Sequence, residues 1–376
     1  MKILITGSKG FVGKNLIATL NNAQPSSAIL SHPQLYLFDI DTDVKLLDTF
    51  TKDCDFVFHL AGVNRPQTEE EFMQGNFGFT SVLLENLKKH NNKAPILITS
   101  STQAALNNSY GISKKAGEDL MFSYAKQTGA KVLVYRLTNI FGKWCKPNYN
   151  SAVATFCNNI ANDLPIKVND PNVALNLVYI DDVINEFINA LQGLENKKDE
   201  YCFVPTVHNV KLGEIVELLN SFKQSKINLS VPNMSDEFTK KLYATYISYL
   251  PTNQFSYPLK MNIDNRGSFT EFIKTPERGQ VSVNISKPNI TKGNHWHHTK
   301  NEKFLVVSGN GVIRFRNINS DEIFEYFVSG DKLEVVDIPT GYTHNIENLG
   351  QTDMVTIMWA NEAFNPEKPD TYFEQV

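Results

Sequence analysis

At 376 residues the chain exceeds the ~250–300 at which one hydrophobic core stops growing, so at least two domains are expected. Its 41% hydrophobic, 20% charged and 11% aromatic residues describe an ordinary globular protein. A formal net charge of -4 with no Lys/Arg cluster argues against a nucleic-acid partner, but leaves room for a small anionic substrate in a local basic pocket.

The four cysteines (Cys54, Cys145, Cys157, Cys202) form no CxxC pair, which points to a reduced, cytoplasmic chain. The apolar run after Met1-Lys2 is too short for a signal-peptide core. No run approaches ~18 apolar residues, so no membrane partner is expected.

Lys2 to Thr6 reads as a buried parallel strand entering Gly7-Ser8-Lys9-Gly10-Phe11-Val12-Gly13. The three glycines permit a tight turn, a close backbone approach and a tight helix–strand contact. The helix from Phe11 to Asn22 turns its N-terminus back on the turn, where free N–H groups can hold a pyrophosphate. A glycine-rich turn without a ligand is the alternative. A second strand, Leu35 to Phe38, ends in Asp39. An acidic residue ~20 residues past such glycines binds a ribose 2′-OH and favours NAD, and Asp39 or Asp41 can serve, after a connection longer than usual.

Strands Phe56–Leu60, Pro95–Thr99 and Lys131–Arg136 alternate with helical stretches, among them Glu69–Lys89. That alternation predicts an α/β doubly wound parallel sheet of Rossmann type. Ser100, Ser101 and Thr102 fall at the carboxyl end of a strand, where such sheets bind ligands, although strand-end hydroxyls also serve as caps. Tyr110-Gly111-Ile112-Ser113-Lys114 then places a phenol and an ammonium at i and i+4 on one helix face. The fixed positive charge is expected to lower the tyrosine pKa, so that Tyr110 can exchange a proton with a ketone oxygen near neutrality.

Polar Asn196–Glu200, helical Leu212–Lys223 and Phe238–Leu250 lead to a linker, Pro251–Pro258. Tyr243, Tyr246 and Tyr249 read as packing. The expected domains are 1–250 and 251–376. Short β-rich runs then follow, at Gln280–Ile285, Lys303–Val307, Gly311–Arg316, Ile323–Val328, Lys332–Asp337 and Met354–Trp359, and predict an all-β barrel or sandwich. His295, His297 and His298 lie within four residues, Glu302 follows, and Pro339-Thr340-Gly341-Tyr342-Thr343-His344 adds another imidazole. On an extended strand His295 and His297 share a face. Imidazoles with one carboxylate suit Zn, Fe, Mn or Ni, the alternative being water-bridged polar packing.

Several motifs together carry a family resemblance: Thr6-Gly7-x-x-Gly10-x-x-Gly13, Asp55-x-Val57-x-His59-Leu60-Ala61-Gly62, Asn76, Ser100-Ser101-Thr102, Tyr110-x-x-x-Lys114, Arg136-x-x-Asn139-x-x-Gly142 and Tyr179-Ile180-Asp181-Asp182-Val183. Residues 1–245 resemble the extended short-chain dehydrogenase/reductase family. The resemblance implies Tyr110 as acid/base with Lys114 as its partner. Thr102, or second Ser101, is then the hydroxyl on the carbonyl. Dinucleotide contacts would come from Gly7 through Gly13, Asp39, Leu60, Ala61, Gly62, Tyr110 and Lys114. It also implies a nucleotide-linked sugar, with 142–150 and 167–176 as candidate walls.

His295-x-His297-x4-Glu302-x6-Gly309 and Pro339-x-Gly341-x2-His344-x3-Asn348 are similar to the two cupin motifs, with the upstream glycine displaced to Gly293. The cupin likeness implies metal ligands His295, His297, Glu302 and His344. Asp264-x-Arg266-Gly267-x-Phe269-x-Glu271 resembles the entry segment of deoxysugar 3,5-epimerases, which would make His295 a base instead.

A reductase followed by a cupin, with Asn64-Arg65-Pro66, Phe141-Gly142-Lys143-Trp144-Cys145-Lys146-Pro147 and His295-Trp296-His297-His298, resembles the family of bifunctional capsule-sugar enzymes of UDP-N-acetyl-L-fucosamine synthesis. That implies C3 epimerisation of a UDP-2-acetamido-2,6-dideoxy-4-hexulose in the cupin, NADPH-dependent C4 reduction, Zn²⁺ and a homodimer. The acidic strand end instead favours NADH, unless Lys9 offsets the repulsion. Two other readings stay open: a non-catalytic dinucleotide or sugar sensor, and a UDP-sugar 4-epimerase or reductase with a structural cupin.

Overall fold

A computed structural model describes residues 1–22 and 33–376, so most of the long connection before the second strand lies outside the described residues. The chain divides into two compact units. The first comprises Met1–Asn220 and Ser235–Pro251, the second Ser221–Met234 and Thr252–Val376.

In the first unit β1 (Lys2–Thr6), β2 (Gln34–Phe38), β3 (Phe56–His59), β4 (Ile96–Ser101) and β5 (Val132–Leu137) are parallel, in the order β2-β1-β3-β4-β5. Tyr201–Cys202 adds parallel to β5 and Lys197–Lys198 closes the edge antiparallel. β1 is buried on both faces, as its unbroken apolar run predicts. Ile3 and Ile5 pack with Leu16, Phe58 and Phe187, while Leu4 packs on the other side with Val57, Leu83 and Leu87. The strand order reverses between β1 and β3, and the crevice at their carboxyl ends is where a doubly wound sheet takes its ligand. A small sheet of Asn139–Phe141, Ala174–Tyr179 and His208–Lys211 stands apart from the main one.

The helix expected over Glu69–Lys89 is broken in three: an α-turn Glu70–Phe72, a π-helical stretch Met73–Gly78 and an α-helix Phe79–Lys89. The widened stretch holds Asn76, whose buried amide accepts from Val63 N (3.0 Å) and donates to Val63 O (3.1 Å) and Ser113 Oγ (3.0 Å). Of the tyrosine series near the end of this unit, Tyr246 is buried and Tyr249 donates to Cys145 O, consistent with packing.

The second unit is built of two antiparallel sheets. One runs Met261–Asp264, Gly267–Thr275, Gly279–Ser286, Met354–Ala360, Glu302–Ser308, Val335–Ile338. The other runs Ile323–Ser329, Asn310–Asn317, Tyr342–Asn348, Thr291–Trp296, Tyr372–Phe373. Phe304, Val306, Ile313, Phe315, Val336, Ile338 and Ile346 fill the space between the sheets. The strands at 261–264, 267–275 and 342–348 were not expected from the sequence, and the extended run expected at His295 is the end of a longer strand, Thr291–Trp296. The Lys332–Asp337 strand shifts to Val335–Ile338, because Lys332 is held in a turn by Ser329.

Candidate functional site

Gly7 adopts φ +70°, and a Cβ there would lie 2.7 Å from Ala61 N; a Cβ on Gly13 would lie 2.3 Å from Gly7 O. Side chains at either position would push β1, its turn and the β3 end apart. The helix Phe11–Asn21 starts from Gly10 with no side-chain cap, so its first N–H groups face the crevice without a protein acceptor from that position. Asp39 does not stand free at the strand end. It accepts from Lys9 N (2.7 Å) and Ile40 N (2.8 Å), while the Lys9 ammonium pairs with Asp41. The acidic strand end is therefore partly neutralised from inside the glycine turn.

The helix Ser109–Thr128 is capped by Asn108, whose Oδ1 accepts from Gly111 N (2.8 Å), and ends at left-handed Gly129. Tyr110 and Lys114 lie in its first two turns, with the Lys114 Nζ 5.8 Å from the Tyr110 ring centre. The ammonium points to Thr99 O (3.2 Å). Burial lowers its pKa to about 8, against the pull of Glu118 one turn on.

The expectation for Tyr110 is corrected in sign. Burial raises its pKa above that of an ordinary phenol, and the opposing pull comes from a hydrogen bond with Ser101, not from Lys114. Desolvation outweighs a lysine turned towards a backbone carbonyl. Ser101 faces Tyr110; Thr102, exposed, begins the 3-10 turn beyond it, and both line the cleft. Leu60 and Gly62 line it too, and Ala61 packs against Gly7.

The cleft is about 730 Å³ and runs from the glycine turn past Tyr110 to Asn176. A neighbouring cavity of about 610 Å³ is lined by Arg65, Lys167 and Asp170 and shares Tyr149, Asn150 and Ser151 with it. Both segments expected as substrate walls therefore border open space.

Sequence reasoning missed Glu118. It is fully buried, accepts from Ser100 Oγ (2.6 Å), and receives the Arg136 fork at 2.9 and 2.6 Å. Arg136 in turn lies 3.8 Å from the Tyr201 ring centre. The spacing Lys114-x-x-x-Glu118 was the available signal: one turn along the same face. His59 is held between Thr6 Oγ1 (2.7 Å) and Thr80 Oγ1 (2.8 Å), and burial drops its pKa to about 3, so it is a neutral structural imidazole.

In the second unit His295, His297, Glu302 and His344 converge, one ligand atom of each lying within 4.8 Å of the others. His295 and His344 are cross-strand partners, brought opposite by a bulge between Gly293 and His295. Gly293 (φ +107°) passes so close that a Cβ would lie 2.8 Å from His344 O, which accounts for the displaced motif glycine. The strand ends at Trp296 and His297 follows it directly, its ring centre 5.0 Å from that of His295 in the same cluster.

Glu302 Oε2 lies 3.6 Å from His297 Nε2 and 3.4 Å from His344 Nε2. All three atoms are buried without a hydrogen-bond partner among the described residues. Burial would raise the Glu302 pKa, but the two imidazoles outweigh it and hold the carboxyl well below the usual range. Burial first, then His344 and His297, lower His295 to about 4, so it is neutral at pH 7. Buried, unpaired atoms of mixed N and O type are what a borderline divalent cation satisfies, so the residues fit a metal.

A glycine-turned dinucleotide crevice with a Tyr–Lys helix, carried in one chain with a histidine-lined β unit, defines an oxidoreductase of the extended short-chain type bearing a cupin domain. The chain belongs to the NAD dependent epimerase/dehydratase family, whose model matches residues 3–204, and the polysaccharide biosynthesis C-terminal domain matches 262–372.

It is similar to the UDP-2-acetamido-2,6-beta-L-arabino-hexul-4-ose reductase of Pseudomonas aeruginosa, 42% identical over 372 residues, covering 99% of this chain and 98% of that one. Among solved structures it is similar to the capsular polysaccharide assembling protein CapF from Staphylococcus aureus, with 57% identity and a TM-score of 0.93 over 100% of both chains. RMD from Pseudomonas aeruginosa, complexed with NADPH, shares 23% identity and a TM-score of 0.52 over 66% of this chain and 99% of that one, a likeness of fold.

Proposed function

We propose that this chain is a bifunctional nucleotide-sugar enzyme of capsule synthesis. A UDP-2-acetamido-2,6-dideoxy-4-hexulose is epimerised at C3 in the cupin domain (251–376). Its C4 ketone is then reduced in the N-terminal domain (1–250) to UDP-2-acetamido-2,6-dideoxy-L-talose. The similarity to a 4-ulose reductase along nearly the whole chain supports the substrate class. The observation that carries the reading is that one chain holds both a Tyr110–Lys114 cleft and a buried His/Glu cluster with unpaired ligand atoms.

In the first unit Tyr110 gives a proton to the C4 oxygen, and Ser101, with Thr102 beside it, hydrogen-bonds that oxygen. Lys114 stabilises the phenolate left behind. NADPH, when bound, supplies the hydride. Gly7 to Gly13, Asp39 and Leu60 to Gly62 would hold it, with Lys9 offsetting the carboxylates near a 2′-phosphate. In the second unit the 4-keto group acidifies C3–H, and His295, neutral at pH 7, can take that proton unless it serves as a fourth ligand. His297, Glu302 and His344 would hold a divalent cation, which we read as Zn²⁺ and which supplies Lewis-acid stabilisation of the oxyanion. Reduction removes the ketone that makes C3 acidic, so epimerisation must come first. No helix among the described residues is long and apolar enough to cross a membrane. We expect a homodimer working in the cytoplasm.

The test is NMR of a UDP-4-keto-6-deoxy-HexNAc in D₂O with NADPH, NADH or neither. Deuterium should enter C3 without cofactor, and reduction should be faster with NADPH by kcat/KM. Reduction with no solvent deuterium at C3 would leave a plain 4-keto reductase. The alkaline limb of kcat/KM for reduction should fall near pH 8, because Lys114 is charged below its folded pKa and neutral above it. A Lys114→Met variant showing the same limb would assign it to another group.

A further inference from the structure

Nothing in the metal motifs points to the last residues of the chain, yet these form the back of the histidine cluster. Tyr372–Phe373 pair antiparallel with the histidine strand, Phe373 opposite His295 and Tyr372 opposite Trp296. Glu374 N donates to Asn294 O (3.0 Å), and Arg316 pairs with Glu374 (2.7 Å). Just ahead of this strand stands Asp370. Its backbone oxygen accepts from His297 Nδ1, and its carboxylate accepts from His298 N (2.9 Å), Thr299 N (2.7 Å), Lys300 N (2.8 Å) and Thr299 Oγ1 (3.0 Å).

We infer that Asp370 is a positioning residue of the metal centre, its carbonyl fixing the tautomer and its carboxylate fixing the place of His297. The inference rests on the reading of the cluster as a metal site. A hydrogen bond from Nδ1–H to a carbonyl leaves the proton on Nδ1 and the lone pair on Nε2, the atom that faces Glu302 without a partner. That carbonyl keeps its position because the same residue's carboxylate gathers three successive N–H groups of the turn that follows His297. Each of those donors, left without an acceptor, would turn towards water and take the turn with it. The two functions are thus coupled through one residue: removing the carboxylate frees the turn and lets the carbonyl leave Nδ1. Those four hydrogen bonds to one carboxylate are of the strong, charge-assisted kind.

The experiment uses the full chain, stripped of metal and titrated with Zn²⁺ alone against a chromophoric chelator, and with Co²⁺ followed by its visible spectrum. Asp370→Ala and the isosteric Asp370→Asn are compared with the parent. Zinc affinity should fall by about 10–100-fold in both, the usual range for a lost partner of a ligating histidine. The cobalt spectrum should change as the ligand field distorts. In the metal-free parent, long-range ¹H–¹⁵N correlation should show His297 as the Nδ1–H tautomer, and the variants should show a mixture. Far-UV circular dichroism identifies any variant that has not folded, and Asp370→Asn keeps the shape if Asp370→Ala does not. Parent-like zinc affinity and a parent-like tautomer in a folded variant would overturn the inference. A parent that binds neither zinc nor cobalt would overturn the metal reading and this inference with it, a result distinguishable from a failure of Asp370 alone.

Discussion

A Tyr110→Phe enzyme should lose C4 reduction by about 10²–10⁴-fold in kcat, the range for removing a positioned general acid, while solvent deuterium still enters C3 at the parental rate. The ring is retained, so its contact with Phe72 (centres 5.6 Å apart) and the wall of the cleft survive. What is lost is the one hydroxyl set against Ser101 at the carboxyl edge of β4. The loss should appear in kcat and kcat/KM alike, with KM for the sugar nucleotide little changed, because the interaction strengthens only as the C4 oxygen gains charge. Proportional loss of deuterium exchange would place both steps at one site and sink the division of labour.

The complementary expectation concerns the cluster. Glu302→Gln and His344→Ala should each abolish C3 exchange while leaving reduction of an already epimerised ketone intact. Glu302→Gln would leave the two buried imidazoles facing a poorer partner and His344→Ala would remove one of them, so either variant should lose the cation along with the several kcal/mol of oxyanion stabilisation it would supply. The parent should also be stabilised by zinc. At a hundred times its Kd the linkage amounts to about 2.7 kcal/mol, and neither variant should show that rise in Tm. His295→Ala divides the two roles proposed for that residue. Zinc retained with exchange lost makes it the base; zinc lost makes it a ligand. Exchange persisting in metal-free Glu302→Gln would remove the cation from the chemistry.

The first unit was the more legible in the sequence, because its chemistry lies in contiguous stretches whose local structure is self-sufficient. A strand, a glycine turn and a helix start must occur in that order, and Tyr110 and Lys114 share a face by helical period alone. What lay beyond reach was set by environment. The sign of the Tyr110 shift depends on how dry the cleft floor is, and the π-helical stretch at Met73–Gly78 depends on Asn76 finding Val63 and Ser113.

In the second unit two strands not read in full from the sequence share a cause. Thr291–Trp296 and Tyr342–Asn348 carry polar side chains inward, and Ser282, Asn284, Ser286, His344 and Thr356 are all buried. Alternation of apolar and polar residues signals a strand only when the buried face is oily; here the face that carries function is not. The four cluster residues were nonetheless readable from spacing. Asp370 was not, since its partners at 298–300 lie about seventy positions upstream and an isolated aspartate near a chain end has no pattern.

The excursion of residues 221–234 into the second unit has a consequence for how such an enzyme can be inherited or rearranged. Leu229 O accepts from Lys274 N (2.8 Å), and Lys226 Nζ donates to Gln254 O (2.7 Å), so the later unit borrows backbone encoded ahead of the close of the earlier one. A gene broken once near codon 251 would hand the barrel on without that segment and leave the reductase with a stretch whose partners have gone. Shuffling by a single crossover is therefore penalised in both daughters, and the two activities travel together as one heritable block.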